Sequence, residues 1–297
     1  MTTEQINIDE LWDYQRPAES EARFRQVLSS LSSEPAASAE LMTQIARAQG
    51  LQRHFAEAHA TLDEVEARIG TLPLRSRVRY LLERGRVFNS AGSPQEAAPL
   101  FEEAFRLAEP VPEEAFYAVD AAHMLAIVSP PDGALAWNLR ALALADSSGD
   151  PRTRNWRGSL LNNIGWTFHA AGDYTAAFDY LSRALDFHRE RGNSRATRIA
   201  RWSVARVRRD LGQVREALAE QMALLSENDA LGEGDGYVPE EIGECLAALG
   251  DAAGAQPYFA RAYTELSADP WLVANEPERL ARLKRLGTGE SPPALAG

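Results

Sequence analysis

Of the 31 basic residues in this 297-residue chain, only Lys284 is a lysine, and it stands near the C-terminus in no glycine-rich context. A phosphate-cradling Walker loop, a kinase-type phosphate lysine and a Schiff-base enzyme each need a lysine set into a structured site, so those chemistries are excluded. Cys245 is the sole cysteine. It can form neither an intramolecular disulfide nor a cysteine-based zinc site, which fits a reducing compartment. No run approaches 18 apolar residues, and the start, Met1-Thr2-Thr3-Glu4-Gln5-Ile6, is polar and carries no cation. Neither a membrane span nor a signal peptide is expected, and the reading is a cytoplasmic protein without membrane association. Cations are also in deficit overall. The formal net charge is −12, which argues against general adhesion to nucleic acid or anionic membrane, because both need surplus positive charge at the contact.

Catalytic patterns are equally scarce. The histidines are His54, His59, His123, His169 and His188, and no two of them make a His-Glu-x-x-His metal pair, so no metal and no cofactor is expected. His123 and His169 with Asp120 offer an acid–base reading, but no nucleophile elbow or partner carboxylate pair accompanies them, and the expectation is that the protein is not an enzyme. The run Gly232-Glu233-Gly234-Asp235-Gly236 reads as a flexible turn between hairpins, since no strand precedes it and its charge is acidic. Cys245, beside Leu246 inside a helical pattern, is expected to be buried and inert.

What the chain does have is repetition. At 32.6 kDa it is either two domains or one elongated array. Ala58, Ala97, Ala134, Ala177, Ala217 and Ala255 each follow a turn-like dipeptide and open an apolar helical pattern, at intervals of 39, 37, 43, 40 and 38 residues. The clearest copy has Leu161, Ile164, Gly165 and Phe168, then the turn Gly172-Asp173-Tyr174, then Ala177, Leu181 and Ala184. Those spacings put one apolar stripe on each of two successive helices, with Gly165 and Ala177 small enough to let the helices cross closely. Leu81, Gly85 and Phe88 before Ala97, and Ile242, Gly243 and Leu246 before Ala255, repeat the pattern. The copy at Ala217 has Arg201 and Arg208 where apolar residues are expected; that at Ala58 has Arg53 in place of the turn glycine; that at Ala134 turns through Ser129-Pro130-Pro131. Pro17 opens a half-unit through Ala22 and Val27.

This pattern resembles the tetratricopeptide repeat family, over about residues 17–268. The period departs from the usual ~34 residues, and the proline that ends the second helix is mostly missing, so longer helices are expected. The resemblance implies an all-α solenoid, a right-handed superhelix of about six antiparallel helix hairpins with terminal capping helices. Residues 1–16 form an N-terminal segment in which Trp12 and Tyr14 cover the first hairpin. Residues 269–286 form a C-terminal capping helix with Leu280 and Leu283 facing inward, and residues 287–297 are expected to be a disordered tail.

In such arrays the first helix of each hairpin lines the concave face, where the resemblance places ligands. Asn162, Trp166 and His169 are spaced i, i+4, i+7 and share a face away from the apolar stripe. One period on come Trp202, Arg206 and Arg209; the equivalent triplets are Leu82, Arg86 and Asn89, then Val119, His123 and Ala126, then Thr43, Arg47 and Gly50, and finally Glu240, Glu244 and Ala247. Tryptophan and arginine are enriched in binding hot spots, so this face is the candidate ligand wall. Charge is segregated too: residues 195–215 hold seven arginines and one acid, and residues 216–260 hold ten acids and no basic residue. Two readings stand side by side. Either the wall suits a dipolar peptide, with arginines taking its carboxylate and Glu240, Glu241 and Glu244 its basic group, or the two segments neutralise each other across neighbouring hairpins. The function expected is a non-catalytic scaffold that binds a protein or peptide segment in the groove, or else a regulator that senses a small molecule or signalling peptide there; nucleic acid is an unlikely partner.

Overall fold

The computed structural model describes residues 8–31 and 34–289. Among them there is no strand. After a lone helix α1 (Pro17–Leu28), the chain forms six hairpins: α2 (Pro35–Leu51) with α3 (Phe55–Glu66), α4 (Leu74–Ser90) with α5 (Pro94–Ala108), and α6 (Ala115–Val128) with α7 (Pro131–Ser147); then, after a short α8 (Pro151–Arg154), α9 (Arg157–Ala170) with α10 (Tyr174–Glu190), α11 (Ser194–Asp210) with α12 (Val214–Leu231), and α13 (Tyr237–Ala248) with α14 (Ala252–Leu266). The short α15 (Pro270–Asn275) and then α16 (Pro277–Thr288) follow.

The hairpin turns are written in two adjacent residues. Gly92, Gly172, Gly212 and Gly250 have φ between 80° and 90°, the left-handed conformation that closes a helix with little steric penalty in glycine. The next residue's N–H then reaches back to the helix: Asp173 to the Phe168 carbonyl at 3.0 Å and Asp251 to that of Leu246 at 2.9 Å. That same aspartate opens the second helix, its carboxylate accepting the N–H of Ala176 at 2.9 Å or of Gly254 at 2.8 Å. Arg53 takes the glycine's place in the first hairpin with φ 64°, and its turn closes in the same way, His54 N–H donating to the Gln49 carbonyl at 2.9 Å. Removing the cap in Asp173→Ala is expected to cost about 1 kcal/mol, a fall in Tm of a few degrees in a thermal melt.

Each repeating alanine is the fourth residue of its second helix, and all are buried except Ala134, which is half-buried after the proline turn. Opposite them, the first helices carry Ala46, Gly85, Ala122, Gly165, Ala205 and Gly243 in one register, all buried. A Cβ on Gly85 would lie 2.5 Å from Phe101 Cε1, on Gly165 2.6 Å from Leu181 Cγ, and on Gly243 2.7 Å from Phe259 Cε1. The large partner therefore fills the space that the glycine vacates. The second helices α7, α10 and α12 run to 17, 17 and 18 residues, whereas α3 stops at 12.

Contacts gather the chain into two compact units, residues up to Leu160 and residues from Leu161 onward. In the first, α1 packs on α2, and α4 packs against α2, α5 and α6. Trp12 seats on this unit through its indole N–H, which donates to Gln44 Oε1 at 3.0 Å. In the second, α11 packs on α10 and α12, α13 on α12 and α14, and α16 on α14. Leu280 and Leu283 of α16 join the cluster of Ala255, Phe259, Ala262 and Leu266. The tail expected from Gly287 begins inside α16: a Cβ there would meet Ala260 Cα at 2.7 Å, so packing holds this residue in the helix until Gly289, at φ 72°, ends it. Residues 290–297 lie outside the described residues.

Arg201 and Arg208 keep their helix in register despite their charge. Arg201 reaches Glu220 and Glu227 on α12 at 2.5 and 2.7 Å, and the Arg208 guanidinium lies 5.5 Å from the Phe178 ring. A long stem lies along the apolar surface while the charged end finds partners.

Candidate functional site

In the second unit three rings from three successive first helices stand in a row. Trp166 on α9 and Trp202 on α11 have ring centroids 5.8 Å apart, and Trp202 and Tyr237, at the start of α13, are 5.9 Å apart. The Trp202 indole N–H donates to the Tyr237 carbonyl at 3.2 Å. Guanidinium groups flank the row, Arg206 at 5.9 Å from the Trp166 ring and Arg279 of α16 at 5.2 Å from Tyr237. With Glu240 these residues line a cavity of ~440 Å³. The helical period places Trp166, Trp202 and Arg206 on this wall from sequence; Tyr237 and Arg279 emerge only from the packing. Asn162 is half-buried on α9.

The charges on this wall are already committed. Glu241 is 1% exposed and accepts from both Arg206 and Arg209, the latter at 2.9 Å. Glu240 accepts from Arg279 at 3.0 Å, and Glu244 from Arg282 at 2.5 Å. Arg198 meets Glu233 at 2.5 Å. Of the two readings of the segregated charge, mutual neutralisation between neighbouring helices is the one that these pairs realise. His169 Nε2 lies 2.7 Å from Asp210 Oδ2, and its ring rests against Trp166 and Tyr174. It acts as a brace behind the tryptophan. Burial, with the Glu241 carboxylate behind it, pushes the Cys245 thiol up to about 12, so the thiolate is negligible near neutral pH.

The first unit has its own cavity, of ~340 Å³, among α2, α4 and α6. Arg86 bonds Asp120 and, at 2.8 Å, Glu83; Arg47 reaches Glu83 at 3.3 Å. The His123 ring packs on Trp156 at 5.3 Å, and burial holds its imidazole below the ordinary histidine value despite the neighbouring Asp120 carboxylate. Asp120, weighed above as an acid–base partner, is thus engaged by Arg86. Asn89 is half-buried. The first member of the triplets lies deeper than the period suggests: Thr43, Leu82, Val119 and Glu240 are buried, because each first helix packs on more than one side.

Sequence reasoning passed over Arg79, Glu83 and Trp156 as site residues and used Tyr14 only as a cover. A signal was present in part: Arg79 pairs with Glu40, Arg75 with Glu114, and Arg279 with Glu240, each across 39 residues, one repeat apart. Among the described residues no group of three or more His, Cys, Asp or Glu side chains is placed to hold a metal ion. No described helix is long and apolar enough to cross a membrane.

No family model matches this sequence, and no curated protein does. Solved structures do resemble it. The apo form of RapI is 12% identical, with 94% of this chain and 79% of that one covered at a TM-score of 0.71. A signal transduction ATPase with numerous domains that carries a tetratricopeptide repeat sensor, from Pyrococcus horikoshii, is 14% identical, with 93% and 45% covered and a TM-score of 0.67; the present chain thus spans less than half of it. NprR in complex with its cognate peptide NprX is 12% identical, with 97% and 84% covered and a TM-score of 0.55. At these identities the likeness concerns the fold. Together with the Gly-Asp turns and the alanine register, it identifies the chain as an all-α helical-repeat protein of tetratricopeptide-like fold.

Proposed function

We propose that this chain is an interaction protein that captures an extended peptide segment along the row of Trp166, Trp202 and Tyr237, without transforming it. The spacing of the three rings carries the reading. Alternate side chains of an extended strand recur every ~6.6–6.8 Å, close to the ring spacings of 5.8 and 5.9 Å. Successive same-side residues of a bound segment therefore each meet one ring. Arg206 adds polar anchoring: Nη1 serves Glu241, and a guanidinium has five N–H donors, which leaves capacity for a ligand carbonyl or carboxylate. Because Glu240, Glu241 and Glu244 already hold arginines, the segment that fits is apolar or aromatic at alternate positions rather than dipolar. His169, against the Trp166 ring, and Arg209, on Glu241, support this wall.

NprR, of like fold, is known with a bound peptide, in keeping with this use of the architecture. A lone buried thiol suits a reducing interior, and we place the protein in the cytoplasm. The array that carries the wall comprises residues 17–268, capped by residues 269–286. The test is selection from a displayed library of random peptides, followed by titration of the selected peptides. Trp202→Ala is expected to weaken binding about 30-fold, a typical hot-spot loss of roughly 2 kcal/mol. Selected peptides that bind Trp166→Ala/Trp202→Ala as tightly as wild type, with circular dichroism unchanged, would refute the reading.

A further inference from the structure

The buried stripe of α12 ends in an amide. At the matching register after the repeating alanine, other second helices carry Ala108, Ala145 and Leu266, all buried, and α12 has Asn228 instead. Asn228 is 7% exposed, and its side-chain amide has no hydrogen-bond partner among the described residues. Neither amide atom is sealed off, and the residue lines a cavity of ~700 Å³, within the range of small-molecule sites. Burying an amide without partners is costly, and buried polar groups are nearly always paired. An open, unpaired amide in a cavity wall, at a position that elsewhere is apolar, indicates an occupant.

The cavity lies among α11, α12 and the start of α13, within the second unit. Its walls are largely apolar. Leu224 and Val238 are buried there, Ile199 is 55% exposed, and the Trp202 and Tyr237 rings stand beside them. The turn after α12 closes the remaining side and is tied from behind: Glu265 of α14 accepts the Gly236 N–H at 2.7 Å and is itself held by Arg261 at 2.7 Å. The charged residues that line the cavity balance, Arg195 and Arg198 against Glu233 and Asp235. Arg198 pairs with Glu233 at 2.5 Å, Asp235 Oδ1 accepts the N–H groups of Tyr237 and Val238 at 3.1 and 3.3 Å, and Arg195 is exposed. With no net charge to meet, the occupant that fits is uncharged.

A primary carboxamide presents a C=O acceptor and an N–H donor side by side. A group that satisfies both at once carries an N–H beside a C=O on one edge. The trans peptide group turns these to opposite sides, so a linear peptide meets only one of them. A carboxylic acid has the matching edge only when protonated, and it is ionised near neutral pH. A cyclic amide holds its N–H and C=O on the same side. We propose that this cavity binds an uncharged lactam with an apolar body, of the cyclic dipeptide class. The lactam edge pairs with the Asn228 amide, and the apolar side chains lie against Leu224, Val238, Ile199 and the Trp202 ring. The site goes beyond the capture of an extended peptide: Trp202 and Tyr237 border both cavities, whereas Trp166 and Arg206 line only the other.

The experiment is isothermal titration of the full chain with three cyclic dipeptides, of leucine with phenylalanine, of two leucines and of two phenylalanines, beside a thermal-shift measurement. The controls are their N-methylated forms, which lack the N–H, and the linear dipeptides. At least one cyclic dipeptide is expected to bind with one-to-one stoichiometry and to raise Tm, with its N-methylated and linear forms about tenfold weaker or worse. Asn228→Leu, which installs the residue type of Leu266, is expected to lower the affinity by about tenfold while the Tm of the free protein stays equal or rises. Asn228→Asp keeps the shape but loses the donor, and is expected to weaken binding to a similar degree. Trp166→Ala retains wild-type affinity for the cyclic dipeptide while losing the extended peptides, so failure of this site and failure of the peptide row are distinguishable. The proposal is overturned if none of the three binds at millimolar concentration, or if the N-methylated forms bind as tightly. It also falls if Asn228→Leu, folded by circular dichroism, keeps wild-type affinity.

Discussion

Glu241→Ala is expected to destabilise the protein by roughly 3 kcal/mol, which lowers Tm by about 6–12 °C. The carboxylate is 1% exposed and holds Arg206 on one oxygen and Arg209 on both, at 2.9 and 3.4 Å. Removing it leaves two guanidinium groups facing each other in a partly dry interface. Losing one partner of a buried pair costs up to ~5 kcal/mol when the remaining charge is fully enclosed. The smaller figure applies here because Arg206 is partly open to water, where solvent screens it. Urea unfolding of wild type, Glu241→Ala and Glu241→Gln is the measurement, with glutamine expected to fall between the other two because it keeps an acceptor and the side chain's shape. The loss should persist in 0.5 M salt, since enclosed pairs are screened far less than surface ones. A change below about 0.5 kcal/mol would make the pair a surface contact and remove the reason for treating Arg206 as a fixed part of the peptide wall.

The second large effect comes from the helix crossings. Gly85→Val should cost about 3 kcal/mol, at the upper end for overpacked interiors. Even the first added carbon would lie 2.5 Å from Phe101 Cε1, and the Phe101 ring is fully buried and has nowhere to turn. The helix-propensity gain on replacing glycine offsets this by only a few tenths to ~1 kcal/mol. The contrast lies on a neighbouring first helix. At Gly50 the nearest atom to an added Cβ is Val87 Cγ2 at 3.5 Å, an ordinary contact. Gly50→Ala should therefore be neutral or stabilising by up to ~1 kcal/mol. Thermal melts of the two variants beside wild type test both signs at once. If Gly85→Val melts with wild type, α4 and α5 do not cross at that residue.

The two effects differ in how visible they were from sequence. The crossings were legible because the residues concerned act locally or in fixed register. Gly85, Gly165 and Gly243 stand at one spacing from the turn, and the alanines stand at one spacing after it. Arg53 in the glycine's place reads as a damaged turn, yet the backbone holds the left-handed conformation there and the hairpin closes as the others do. Arg201, read as a misfit at an apolar position, is held by Glu220 and Glu227 across the hairpin.

The charge pattern was legible only as a pattern. A cationic segment followed by an acidic one fits a dipolar surface as well as a neutral interface, and composition cannot separate them. The partners lie far off in sequence and on helices that do not follow directly in the chain, Arg206 of α11 with Glu241 of α13, 35 residues on, and Arg279 of α16 with Glu240 of α13, 39 residues back. Helical period says which side of a helix a residue faces, but not how deep the neighbouring helix buries that side. For this reason Glu240 and Leu82, placed on an open face by spacing, are buried, while Tyr14, read as a cover, stands exposed at the mouth of a pocket.

By itself the sequence determined the helical hairpins, their turns, their caps and the register in which they stack, since each depends on residues within a few positions or on a constant period. Only the tertiary structure decided which charges cancel, that rings from α9, α11 and α13 come together in sequence, and that Glu83 and Arg79 each keep one atom unpaired. Those outcomes depend on the distance between side chains one repeat apart, and that distance is set by how closely the glycine and alanine crossings let the helices approach.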